Sequence, residues 1–178
     1  MKKTIILVLV LTLFTVNTYA RGPADKVTGE FTHNDTAHRL VSAHEAFGKH
    51  LQKGFFFSWR DDGRWFEIDF RDTEHSCVNV FADGQARIGG LIRDAHEGAP
   101  QIGRYFGFLM VDGGEPGPIV DQGFTYRVTT EYWSEEARLA LLHWCETGEL
   151  GDLFEQAVWH AVVTDGNLQV HNSPRSDD

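Results

Sequence analysis

The stretch "GFFFSWRDDGRWFEIDF", Gly54–Phe70, sets two aromatic-rich runs on either side of Asp62-Gly63. Both central residues of a type I′ turn take positive φ, which Asp and Gly tolerate, and the twist of that turn suits antiparallel strands. In the second run Phe66, Ile68 and Phe70 share one face, with Glu67, Asp69 and Arg71 opposite. In the first, both faces carry aromatics, which predicts a central strand covered on both sides. The stretch therefore reads as a β-hairpin.

The same signature recurs. Asp83-Gly84 separates "SCVNVFA" from "QARIGGLI", and Asp165-Gly166 separates "AVWHAVVT" from "NLQVH". Adding "KVTGEFT", "HRLVSAHEAF", "RYFGFLMV" and "QGFTYRVTTEYW" predicts roughly nine or ten strands with short connections. The fold class is mainly β: an antiparallel meander closing into a barrel or folding into a sandwich. One segment departs from the pattern. Ser134 is a helix-capping residue, Glu135 and Glu136 suit the positive N-terminal end, and Gly148 ends the run. Ala137, Ala140, Leu141 and Trp144 recur at helical spacing, predicting one short C-terminal α-helix with a buried stripe.

The N-terminus reads MKKTIILVLVLTLFTVNTYA, with Lys2-Lys3 ahead of an apolar core and Ala20 at a small-residue cleavage position. That order predicts a secretory signal peptide of bacterial type over residues 1–20, too short in its apolar run for a spanning helix. The expectation is a secreted or periplasmic protein, with no membrane insertion after cleavage. Removing 20 residues from the 178 leaves 158, a single β-rich domain over 21–172 followed by a tail, 173–178. The leader carries two of the 16 basic residues and none of the 26 acidic ones, so the mature charge is −12. Such a surface repels phosphate backbones and disfavours nucleic acid as a partner.

Cys77 and Cys145 are the only cysteines. A pair in an oxidising compartment predicts one disulfide, two buried thiols being the alternative. Val78 and Val80 belong to the core face, so Cys77 points to the other face and the bond would pin the helix there.

The loop "VDGGEPGPIVDQ" places Asp112, Glu115 and Asp121 among glycines and prolines. Two readings stand: a weak Ca²⁺ site, and a turn with Pro116-Gly117 as its central pair. The spacing fails the helix–loop–helix calcium template, and Asp112 can instead accept hydrogen bonds from backbone amides within the turn.

"VDGGEPG" with Asp121 and Phe124, together with the ending "GNLQVH", resembles the exported, mostly bacterial post-COAP domains. These carry V-D-N-G-E-P-G, then an Asp, and close on G-N-[IL]-Q-V-H. Lys53-Gly54 and Cys77-Val78-x-Val80 match more loosely, and Gly113 stands where asparagine is usual. The resemblance implies a secreted β-rich domain and no particular chemistry.

Nine histidines are present, yet "HEAF" and "HEGAP" lack the second His of H-E-x-x-H, and G-x-S-x-G does not occur. His38 and His44 share a strand face, but six residues span about 20 Å along a strand, too far for one ion. Tyr105, Phe124, Tyr126 and Trp133 are candidates to line a ligand pocket. Two functions follow from these residues. The first is a non-catalytic exported module that binds a small molecule, glycan or partner protein through its loops or an aromatic pocket. The second is a secreted hydrolase whose His and Asp or Glu come from separate strands, since such sites are recognised by geometry alone.

Overall fold

The computed structural model describes residues 25–33, 36–46, 51–114, 121–128 and 134–171, with backbone alone at 33 and 155–161. Among these residues the fold is mainly β. Ten antiparallel strands form one sheet: β1 (Lys26–His33), β2 (Ala37–His44), β3 (Lys53–Arg60), β4 (Trp65–Asp69), β5 (Ser76–Val80), β6 (Gln85–Leu91), β7 (Asp94–Ala95), β8 (Tyr105–Val111), β9 (Gln122–Val128) and β10 (Phe154–His171). Their order is β5-β6-β8-β9-β10-β1-β2-β3-β4-β7. The sheet curls into a half-barrel, in keeping with the expected mainly-β fold of about nine or ten strands and one short helix.

The curl follows from where the apolar residues point. In β2 every second residue is buried, and Ala37, Arg39, Val41 and Ala43 face inward. Phe31, Phe56, Ile68, Ile88, Phe106, Phe108 and Leu168 share that concave core. Phe56 of β3 stacks on Phe108 of β8 with ring centroids 4.1 Å apart, which draws the two halves of the sheet together. Each fully buried phenyl ring contributes about 2–3 kcal/mol through the apolar area removed from water. In β3 the outward Phe55, Phe57 and Trp59 are half-buried, so this strand carries aromatics on both faces.

A second core lies on the convex face. Helix α1 (Glu135–Thr147) is capped by Ser134, whose side chain accepts from the Ala137 amide, and stops at Gly148 in the left-handed region. It buries Ala137, Leu141, Trp144 and Cys145. Gly107 of β8 makes room for it: a Cβ there would come within 2.5 Å of the Trp144 ring. The Cys77–Cys145 disulfide fastens the helix to β5.

Two of the expected turns take another form. At Asp62-Gly63 the Gly63 amide donates to Arg60 O and the Arg60 amide to Arg64 O. Asp83-Gly84 repeats this pattern, with Gly84 N donating to Phe81 O and Phe81 N to Gln85 O. These are three-residue loops with glycine at positive φ, not two-residue type I′ turns. Asp165-Gly166 is not a hairpin at all. β10 runs through it unbroken, and the register slips opposite Thr32 and His33, a bulge. The first half of β10 pairs with β9 and the second with β1, so both stretches of the strand already have neighbours and the chain need not reverse.

Candidate functional site

The inward row that crosses β1 to β4 reads Phe31, Arg39, Ser58, Phe66. Three members suit a core; Arg39 does not. It is only 7% exposed, and among the described residues it makes two hydrogen bonds, both from Nη1: to His38 O at 2.9 Å and to Ser58 Oγ at 2.5 Å. Neither acceptor is charged. Burial, and secondarily the charge of Arg60, pulls its pKa down from the usual arginine range to about 10, so it remains a cation at neutral pH.

Arg39 stands at a cavity of about 210 Å³ between the two halves of the sheet. Trp65 and Phe66 of β4 and Phe106 and Phe108 of β8 supply its aromatic walls, and Ser58 and Thr125 add hydroxyls. The segment between β7 and β8 contributes His96 and Gln101, the end of β3 contributes Arg60, and the β3–β4 loop contributes Arg64. His96 Nδ1 lies 3.0 Å from Trp65 O, which orients the ring. Gln101 Oε1 is buried with no hydrogen-bond partner among the described residues. Among the described residues no Asp or Glu lines the cavity. Asp62 nearby bonds the Arg64 guanidinium, whose presence holds its carboxyl well below the usual carboxylate range, and its Oδ2 lies 3.4 Å from Arg60 Nε. The two outer arginines thus share one carboxylate, and the buried one meets none among the described residues.

A second cluster lies on the convex face. Thr32 Oγ1 is 3.1 Å from His38 Nδ1, and His38 Nε2 is 2.9 Å from Asp61 Oδ1, with His38 stacked on Trp59. The order hydroxyl–imidazole–carboxylate matches a hydrolytic triad. Thr32, however, lies in a strand paired on both sides, so the neighbouring amides are committed to ladders instead of an oxyanion hole.

Two of the three acidic loop residues, Asp112 and Asp121, accept from backbone amides. Asp112 Oδ1 accepts from Gly114 N and Oδ2 from Val170 N, at 2.8 and 2.9 Å. Asp121 accepts from Gly113 N at 2.9 Å and Leu168 N at 3.0 Å. The two carboxylates therefore clasp the β8–β9 connection to the free side of β10, joining the two motifs that carry the family resemblance. Among the described residues no group of three or more His, Cys, Asp or Glu is placed to hold a metal ion. Glu115, Pro116, Gly117 and Trp133 lie outside the described residues, as do the leader and the tail.

Tyr105 and Tyr126 belong to the core beneath the helix, Tyr126 lying 5.2 Å from the Trp144 ring, on the face away from the cavity. Phe124 shares their side of the sheet, being in register with Leu109. The cavity aromatics are a different set. Arg39 carries a sequence signal of its own: it occupies a core-facing position in the alternation of "AHRLVSAH". Compared with protein-family models, curated proteins and solved structures, the chain matches none.

Proposed function

We propose that this protein is an exported, non-catalytic β-module that binds a small molecule in the cavity between the two halves of its sheet. The observation that carries the reading is the aromatic-walled cavity of about 210 Å³ with the buried Arg39 at its edge. Binding sites are concave, mostly apolar and furnished with a few placed polar groups, and this one has that composition. Export draws its support from the tripartite leader sequence and from the disulfide, which suits an oxidising compartment. Membership of the post-COAP domains is proposed on the two motifs, which Asp112 and Asp121 tie together.

Amide NMR with single-ring and six-carbon probes (benzoate, benzamide, hexanoate, hexanamide) tests the cavity. We expect saturable shifts centred on Ser58, Trp65, Phe106 and Thr125 for at least one probe. No saturable shift with any of them would overturn the reading. The hydrolase alternative rests on the Thr32–His38–Asp61 row. Ester hydrolysis by the wild type that disappears in His38→Ala would establish it instead.

A further inference from the structure

We infer that the cavity selects a small monocarboxylate with an apolar body, and that Arg39 is the residue that reads its charge. This deepens the proposed binding function and rests on it. The argument begins with what Arg39 lacks. A cation taken out of water needs an anion or a full set of acceptors. Arg39 has two neutral acceptors, both on Nη1, among the described residues. Its Nε and Nη2 find no partner there. A guanidinium presents its donors in a planar fork that fits a carboxylate bidentately.

The surroundings define the charge and shape of the ligand. Among the described residues no carboxylate lines the cavity, although the chain as a whole carries a net charge of −10. Arg60 and Arg64 share Asp62, whereas Arg39 has no carboxylate partner among the described residues. The buried guanidinium of Arg39 is a single donor fork, which one carboxylate fills. Trp65, Phe66, Phe106 and Phe108 call for an apolar body. The volume of about 210 Å³ limits its size. Cavities of about 150 Å³ hold benzene, so a single ring or a short aliphatic chain fits. Gln101 Oε1, buried without a donor among the described residues, offers a second polar contact to a hydroxyl on such a ligand.

The test is calorimetric titration of the mature protein at pH 7 with benzoate against benzamide and hexanoate against hexanamide. Each pair keeps its shape, while the amide loses the charge and exchanges one acceptor oxygen for an NH2 donor. The wild type should bind the acid of at least one pair about 10- to 100-fold tighter than its amide, the range expected for hydrogen bonds to a charged group. Arg39→Met and Arg39→Gln should both lose the preference while still binding the amide, and Arg39→Lys should keep part of it. Unchanged circular dichroism establishes that each variant is folded; two neutral replacements are included so that one misfolded variant does not decide the result. Equal affinity for acid and amide in the wild type would overturn the carboxylate inference and leave the cavity reading intact. A preference that survives in the neutral variants would assign it to a residue other than Arg39. Failure of all four probes to bind would overturn the cavity reading itself.

Discussion

Arg39 shows how one residue can weaken a fold. Its pKa is lowered in the folded state to about 10, below the ordinary arginine value, so the folded chain holds this proton less tightly than the unfolded chain does. By linkage the charge costs stability at every pH below about 10, and the cost fades as pH rises toward the unfolded value. A shift of that size corresponds to a penalty on the order of 3 kcal/mol. We therefore predict that Arg39→Met, which keeps the volume and removes the charge, raises stability by about 1–3 kcal/mol in urea denaturation. The gain should be constant between pH 6 and 9, roughly, and shrink above about pH 10. A loss of stability in the variant would mean that Arg39 is retained for the fold and not for a ligand.

At the scale of elements, the edge of β10 is the sensitive place. Beyond the bulge, one side of this strand pairs with β1, while the Leu168 and Val170 amides point the other way. Unpaired strand amides are a liability, and here two carboxylates cap them. Asp121→Ala removes the acceptor for both Gly113 N and Leu168 N, so it should cost about 1–3 kcal/mol. Hydrogen exchange at Leu168 should speed up with it, while exchange in β3 follows only the global change. Protection at Leu168 equal to wild type would show that the clasp contributes nothing. The convex face depends on close packing of another kind. Trp144 lies across Gly107 and touches the Tyr126 and Phe154 rings, so the helix seats on a glycine and not on a larger side chain.

Across the whole molecule, the disulfide ties the helix to strands far away in sequence. Cys77 and Cys145 are separated by 68 residues, and closing a loop of that length stabilises by about 4 kcal/mol in the chain-entropy model. Reduction should lower the unfolding free energy by about that amount, read as a shift of the urea midpoint with and without dithiothreitol. The concave core, with Phe56 on Phe108, does not involve the bond and should keep the half-barrel assembled. Unchanged stability on reduction would place the strength of the helix contact in Leu141 and Trp144 alone.

Alternation, capping and cysteine count are local properties, and they sufficed for much of this protein. Phe66, Ile68 and Phe70 revealed a strand face, Ser134 and Gly148 bracketed the helix, and two cysteines could pair in only one way. Other features depend on neighbours that no local pattern names. A glycine at positive φ serves a hairpin and a bulge equally well, so the role of Asp165-Gly166 waited on β9 and β1 taking opposite ends of β10. Asp112 and Asp121 have a cation-binding composition, yet unpaired amides more than 40 residues away claim their oxygens. Arg39 faces the core by simple alternation, but a lone inward charge is a defect or a site according to what surrounds it. Phe106, Phe108 and Thr125 arrive there from strands on the other half of the sheet, and only the curl of the sheet brings them within reach.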